Sequence, residues 1–171
     1  MRAASLLLTV AATLLTLLPA PWVAAHPSTH DRATAAGTPP AVDTARIEVR
    51  LLGRVNGVRR KAGCRPLRPV DGLHGTALAH SAAMAAGRTL SHQVPGEASL
   101  RERIAAAGYG DASRVGEVVA MGPMSARGAV KRWLASPPHR AVLLGCRFRL
   151  AGLGVHAAGR QLWWTVDLVR P

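Results

Sequence analysis

The chain has 171 residues and a formal net charge of +13 at pH 7, and 49% of its residues are apolar. This length suits one domain with a hydrophobic core, or one such domain with tails. Almost all of the positive charge comes from arginine. A GC-rich codon bias and solubility are the preferred explanations for it, and attraction to an anionic partner is the second. The sequence has no nucleophile elbow, no zinc-protease motif, no phosphate-binding glycine loop and no dinucleotide fingerprint, which excludes the standard forms of those enzymes.

The first 25 residues have the pattern of a secretory signal peptide. Arg2 supplies a positive charge, the apolar run 6–18 follows, and Pro19 and Pro21 end it before a cleavage site after Ala25. The run is short for a membrane span, and no later segment is long enough for one. An uncleaved anchor is the alternative, but we expect a secreted, extracellular chain with no transmembrane segment in its mature form.

We expect a flexible linker over residues 26–43 and the folded domain over residues 44–171. The linker is rich in Pro, Ala, Thr and Gly and has no apolar periodicity. Its two histidines, His26 and His30, offer a metal-binding N-terminus as an alternative, and a solvated linker is the preferred interpretation.

The two cysteines, Cys64 and Cys146, both belong to the mature chain. An even number of cysteines in an oxidising compartment predicts one disulfide, and two buried free thiols are the alternative. The bridge would close a loop of about 80 residues and stabilise the fold by roughly 4 kcal/mol. A metal site on these cysteines is not expected, because the chain has no C-x-x-C pair.

The first predicted helix starts near Thr44 and ends at Gly63, a residue that suits a helix C-terminus. The face opposite to its core face carries Arg46, Arg50 and Arg54 at helical spacing, which predicts a solvated face. Contact of this face with an anionic wall polymer or lipid headgroups is the alternative. The apolar positions that define its core face are Ile47, Leu51, Val55 and Val58.

Two further helices precede the middle of the chain. One begins near Asp71, whose carboxylate can cap it, and ends at Gly87. Its narrow apolar face consists of Leu73, Ala77, Ser81 and Met84. The other is short, and Ser99 followed by Glu102 predicts a capping box at its start.

The second half of the chain predicts one strand, one helix and a hairpin. The apolar run 116–122 lies between glycines and predicts a buried strand. A helix capped by Ser125 carries Trp133 on its apolar face, and Pro137 and Pro138 end it. Two final strands meet in a tight turn at 158–160. This order predicts helices on both sides of a small, mainly antiparallel sheet.

Three polar residues occupy apolar or constrained positions. His92 follows the second helix, Glu117 opens the buried strand, and His139 follows the two prolines. A carboxylate in a buried strand needs a partner, and two histidines could supply it as a hydrogen-bonded cluster or as a site for zinc or a similar divalent ion. Glu97 and Glu102, in contrast, are interpreted as surface and capping residues.

The ordered segments "RLLGRVNGVRRKAGCRPL", "ALAHSAAMA", "LSH", "GEVVA", "VKRWLASPPHRAVLL" and "LWWTVDL" resemble the CAP superfamily. That superfamily comprises cysteine-rich secretory proteins, antigen 5 and pathogenesis-related 1 proteins, here in the bacterial SCP-like extracellular form. The resemblance runs from about Ile47 to Val169. It implies an α+β fold, a three-layer α-β-α sandwich with a small, mainly antiparallel sheet.

The resemblance also implies a central cleft in which His92, Glu117 and His139 bind a divalent cation such as zinc. Fuller family sites have a second glutamate just after the helix tryptophan. Ala135 and Ser136 occupy that place here, so the implied site is reduced to three ligands.

Other positions of the motifs differ from the family pattern or are given structural roles. Val118 replaces an asparagine, which we expect to remove a polar side chain beside the cleft, and Pro138 replaces a glycine. We expect His80 to bond a neighbouring backbone group, Ser81 to face the core, and Arg140 to brace its loop.

Three hypotheses for the function differ in class. The first is a secreted, non-enzymatic binding module that uses the cleft for a divalent cation, or an adjacent groove for a small apolar or lipid-like ligand, as the family implies. The second is a metal-assisted hydrolase of peptide or cell-wall substrates, with Glu117 or a histidine as general base and Ser136 as the candidate nucleophile. The third is an interaction protein whose basic faces hold it to an anionic envelope. The expected partner is thus a small ligand or an envelope component, and not a nucleic acid, because the chain is predicted to be secreted.

Overall fold

A computed structural model describes residues 41–122 and 124–171. The predicted signal peptide and residues 26–40 of the predicted linker lie outside the described residues. Within these, a four-stranded sheet is packed between helices, so the predicted α+β sandwich is confirmed. The helices are α1 (Thr44–Lys61), α2 (Asp71–Ala86), α3 (Leu100–Ile104), α4 (Ala126–Ala135) and α5 (Pro137–Leu143). The strands are β1 (Arg68–Pro69), β2 (Arg114–Met121), β3 (Leu150–Ala158) and β4 (Gln161–Arg170).

The sheet has the strand order β1-β3-β4-β2. The predicted C-terminal hairpin pairs β3 with β4 in antiparallel register, and β2 pairs antiparallel with the other edge of β4. The short strand β1 adds to β3 in parallel. The sequence did not predict β1, because two residues are too few to show a periodicity.

The two prolines end one helix and begin another. Ser136, with an extended backbone (φ −97°, ψ 116°), separates α4 from α5, as expected for a residue before proline. Pro137 and Pro138 then occupy the first two positions of α5, where a missing N–H costs nothing. The loop expected at Arg140 is therefore wrong, since His139 and Arg140 both lie in α5.

Side chains cap three of the helices as the local sequence requires. The Ser99–Glu102 capping box is present at α3, and the Ser125 side chain accepts from the backbone of α4. Asp43 caps α1. The predicted cap at Asp71 is wrong: the N-cap of α2 is the extended Val70, and Asp71 is the first residue of the helix, where its charge favours the helix dipole.

Alternation along β4 assigns the two faces of the sheet. Trp164, Val166 and Leu168 pack into the main core with residues of α1 and α4. Trp163 packs with Met84 of α2 on the opposite face, which is therefore the face that Thr165, Asp167 and, by register, Glu117 of β2 share.

Helix α2 lies directly on β3. The predicted core-facing Ser81 is fully buried and donates to the carbonyl of Gly154 at 3.0 Å. A Cβ on Gly152 or Gly154 would collide with the backbone of Leu73 or Leu78, so these strand positions require glycine. The predicted narrow apolar face of α2, with Ala77 and Ser81 on it, thus allows the helix and the strand to approach at backbone distance.

The segment between α5 and β3 is fixed to the end of α1 by a disulfide and a buried arginine. The predicted disulfide between Cys64 and Cys146 is present. Arg59, which is fully buried, donates hydrogen bonds to the backbone carbonyls of Arg65, Leu143, Gly145 and Phe148. None of the helices in the described ranges is long and apolar enough to cross a membrane.

Candidate functional site

Glu117 and His92 form the inner part of the candidate site. Glu117 lies in β2 on the face covered by α2 and is 4% exposed. Its Oε1 accepts a hydrogen bond from Nδ1 of His92, 2.7 Å away, and His92 itself lies in the loop between α2 and α3. The His92 side chain is 56% exposed, so the ring is bound to the buried carboxylate on one side and open to solvent on the other.

His139 lies in the first turn of α5 and faces His92. Its ring centroid lies 5.9 Å from that of His92, with the two planes tilted by 41°. The structure therefore brings all three predicted residues together as a series, in which Glu117 contacts His92 and the ring of His92 faces that of His139. Strand β2 forms one edge of the sheet, which lets side chains from both helical layers reach this point.

The second oxygen of Glu117 accepts a hydrogen bond from Arg103. Arg103 lies in α3, and the sequence did not identify it as a site residue. Its guanidinium donates to Oε2 of Glu117 at 3.0 Å and to the carbonyl of His92 at 3.2 Å. Both oxygens of Glu117 thus have donors. Across residues 41–122 and 124–171, no three His, Cys, Asp or Glu side chains are arranged to hold a metal ion. The groups that remain free to face an ion are the two imidazoles of His92 and His139.

Behind this series lies a second histidine–carboxylate pair. His80 is fully buried in α2, and its Nδ1 lies 2.8 Å from Oε2 of Glu97. The predicted backbone contact of His80 is confirmed by its Nε2, which lies 3.0 Å from the carbonyl of Ser91. The surface position expected for Glu97 is wrong, because this carboxylate accepts from His80 and from the backbone of Val94 and its side chain is only 15% exposed.

Asp167 is the other carboxyl group that the sequence did not single out. It lies opposite Glu117 on β4 and is fully buried, and neither of its oxygens receives a hydrogen bond from a donor among the described residues. Burial, and then the charge of Glu117, raise the pKa of Asp167 well above its usual range. These surroundings therefore favour the protonated, neutral form of Asp167. A lone acid in an apolar strand is the same signal that pointed to Glu117, so it could have identified Asp167.

The cleft residues shift one another's protonation. Burial raises the pKa of Glu117, but the His92 hydrogen bond and the charges of His80 and Arg103 outweigh it, so this pKa lies below its usual value. The Glu117 hydrogen bond, opposed by partial burial, raises the pKa of His92. Burial, and then the charge of His92, lower the pKa of His139. The pKa values of the two facing imidazoles are therefore shifted in opposite directions.

Three other sequence-based expectations are placed by the structure. Val118 faces the main core, opposite to Glu117, so the expectation that it lies beside the cleft is wrong. Arg140 is exposed and its side chain makes no hydrogen bond among the described residues, so it does not brace the backbone as expected. The hydroxyl of Ser136 likewise has no hydrogen bond to His139.

The family model described as the cysteine-rich secretory protein family, CAP, matches residues 52–168. The chain belongs to the CAP family. This match spans α1 to β4, which confirms the resemblance found in the sequence motifs. No curated protein matches the chain.

Solved bacterial structures share the CAP fold. An extracellular protein of Bacillus anthracis that contains an SCP domain aligns with a TM-score of 0.69 and 22% identity over 78% of this chain. An outer surface protein of Borrelia burgdorferi aligns with a TM-score of 0.68 and 21% identity, covering 75% of this chain and 96% of the other. A cysteine-rich secretory protein of Staphylococcus aureus gives 0.63 and 16% over 77% of this chain. The chain spans only 45% of the B. anthracis protein and 41% of the S. aureus protein.

Proposed function

We propose that this CAP-domain chain is a secreted binding module whose ligand lies between the imidazoles of His92 and His139. The observation that carries the proposal is the pair of rings at 5.9 Å, one of them fixed by a buried carboxylate at 2.7 Å. Secretion is supported by the disulfide, which forms in oxidising compartments, and by the extracellular or outer-surface description of the B. anthracis and B. burgdorferi proteins.

We expect the ligand to be zinc or another divalent cation. Glu117 holds Nδ1 of His92, which leaves Nε2 as the coordinating nitrogen and is the arrangement that orients histidine ligands in metal sites. His139 would supply a second, neutral imidazole. Water or a donor from a bound molecule would fill the other positions, because the two Glu117 oxygens are engaged.

The test is calorimetric titration of zinc into the wild type and into His92→Gln and His139→Gln. We expect either cleft substitution to weaken binding at least about tenfold, and Glu117→Gln to weaken it about 10- to 100-fold through the lost orientation of His92. His156→Gln is the matched control, since it removes a histidine that lies in β3 and not in the cleft.

His26 and His30 need separate treatment, because they are the other histidines considered for metal binding. All proteins are therefore also titrated with both replaced by glutamine. Equal zinc affinity in the His92→Gln/His139→Gln double variant and the wild type of this background would refute the cleft as the cation site.

A specific observation favours a small apolar ligand as a second candidate. A cavity of about 290 Å³ lies between α1 and α2 at the edge of the sheet formed by β1 and β3. Most of its lining is apolar, including Leu52, Val70 and Leu153. The polar lining residues are Glu48, Asp71 and His74. This site would be separate from the imidazole pair, since it lies at the opposite edge of the sheet from β2.

Binding of a fluorescent naphthylamine probe tests this cavity. Ala45→Trp places a large ring at the cavity lining and should abolish the fluorescence increase, whereas Ala62→Trp, which lies outside the lining of this cavity, should leave it unchanged. An equal signal from both variants would contradict an apolar ligand at this position. The hydrolase hypothesis has no comparable observation in its favour.

A further inference from the structure

A strongly basic groove follows the surface between α1, α4 and α5. Three cavities of about 460, 440 and 400 Å³ line up along it. The first and second share Arg54 and Arg127, and the second and third share Val58, Lys61 and Leu134, so the three form one continuous depression. We call it the basic groove, and its cationic residues are Arg50, Arg54, Lys61, Arg127, Lys131 and Arg140.

The charges of the basic groove are uncompensated by the described part of the chain. All six cationic side chains belong to exposed residues, and none of them pairs with a carboxylate within residues 41–122 and 124–171. The sequence between Glu117 and Asp167, which includes α4 and α5, contains no acidic residue. Lys61 and Lys131 are the only two lysines of the whole chain, and both line this groove. A codon bias toward arginine does not account for that placement.

We propose that the basic groove binds a linear phosphodiester polymer that carries no aromatic bases. Cations stand on both walls, with Arg50, Arg54 and Lys61 on α1 and Arg127 and Lys131 on α4. A thin flexible chain can be contacted from both walls at once. The α1 wall alone spans about 16 Å between Arg50 and Lys61, enough for several phosphates. Guanidinium groups bind phosphate oxygens in a bidentate manner, which fits the predominance of arginine.

The lining of the groove separates this polymer from other anionic partners. The exposed large apolar residues of the described chain are Val42, Val49, Leu90 and Met121, and none of them lines the groove, so it offers no side chain for insertion into a bilayer. Its own apolar residues, such as Ile47 and Leu134, already pack against the core. No aromatic residue among those described lines it, whereas single-stranded nucleic acids are bound by stacking of bases on aromatic rings.

The test compares two variants with the same change in net charge. The groove variant is Arg50→Gln/Arg54→Gln/Arg127→Gln/Lys131→Gln. The control variant is Arg68→Gln/Arg114→Gln/Arg160→Gln/Arg170→Gln. These residues are also exposed, lie in or beside the strands and have no side-chain hydrogen bond to a described residue. The probe is fluorescently labelled poly(glycerol phosphate), with binding measured by anisotropy over a range of salt concentrations. Circular dichroism and thermal unfolding establish that both variants fold.

Release of roughly 0.7 counterion per contacted phosphate sets the expected result. With six contacts, the affinity of the wild type should fall about 300-fold between about 50 and about 200 mM salt. With two contacts left, the affinity of the groove variant should fall only about 7-fold over that range and be much weaker at low salt, while the control variant should follow the wild type.

Three outcomes would overturn the proposal. Equal losses of polymer affinity in the two variants would show that the binding depends only on net charge and not on the basic groove. Equal or tighter binding of anionic phospholipid vesicles at the same phosphate concentration would assign the groove to a membrane surface, and equal or tighter binding of single-stranded RNA would assign it to nucleic acid. His92→Gln/His139→Gln should bind the polymer normally, so failure here and failure of the proposed cation site are distinguishable.

Discussion

Replacing Arg59 by methionine is expected to destabilise the fold severely and to loosen the helix that carries His139. The guanidinium is fully buried and reaches four backbone carbonyls of the segments around the disulfide and α5. Methionine fills much of the same volume but donates no hydrogen bond. Two of the orphaned acceptors, the carbonyls of Leu143 and Phe148, are buried, and each lost donor costs about 1–3 kcal/mol, so we expect a loss of about 4 kcal/mol. That is a large part of the 5–15 kcal/mol typical of a whole domain.

The assay is equilibrium unfolding in urea under non-reducing conditions, followed by the fluorescence of buried tryptophans such as Trp133 and Trp164. Arg60→Met is the matched control, because Arg60 is the next residue of α1 and is exposed. Arg59→Lys should fall between the wild type and Arg59→Met, since an ammonium keeps a charge and donors but lacks the planar fork that reaches several carbonyls. If Arg59→Met unfolds within about 1 kcal/mol of Arg60→Met, the buried arginine does not hold these segments as argued.

Three further predictions concern α2 and the cleft. Gly154→Ala should cost about 3 kcal/mol or more in urea unfolding, because its Cβ would collide with the α2 backbone, whereas Gly53→Ala, in open space on α1, should be neutral or stabilising; similar free energies for the two would contradict the close approach. Glu117→Gln should lower the pKa of His92 in an NMR titration. In the wild type, the raised His92 pKa stabilises the fold below about pH 6.5, and this stabilisation is lost as the pH rises through that pKa, so the variant should lack it. An unchanged His92 titration would refute this coupling. Asp167→Asn should be more stable than the wild type at neutral pH. The free energy of unfolding of the wild type falls by about 1.4 kcal/mol per pH unit between the unfolded pKa of about 3.9 and the raised folded pKa of Asp167. Parallel curves of stability against pH for the two proteins would show that the pKa of Asp167 is not raised.

Local sequence determined most of the elements of this protein. Apolar periodicity and the residues at helix ends placed α1, α2 and α4, and the capping box of Ser99 and Glu102 placed α3. The glycine-bounded apolar run and the tight turn placed β2 and the final hairpin. These signals act over a few residues, which is why they could be recognised without knowledge of the rest of the chain. A local signal failed where it allowed two outcomes. Pro137 and Pro138 end α4, but prolines also suit the first turn of a helix, and here they begin α5.

The sequence also named three members of the cleft, because a carboxylate in an apolar strand and histidines beside helix ends are unusual in themselves. It could not show their order. Only the tertiary structure decided that Glu117 lies behind His92, and not beside it, and that Arg103 takes its second oxygen. Those contacts join residues 14 to 25 positions apart, and nothing in the local sequence of either partner requires them.

The same division applies to charge. The sequence determined that the protein is strongly basic, and helical spacing alone put Arg50 and Arg54 on one face of α1. Packing of α1 against α4 then decided that Arg127 and Lys131 lie across the groove from them. Arg59, also on α1, is instead buried and donates its hydrogen bonds to backbone carbonyls. Which face of a helix meets another element depends on the free energy of the whole core, so the function of each arginine follows from the packing and not from its place in the sequence.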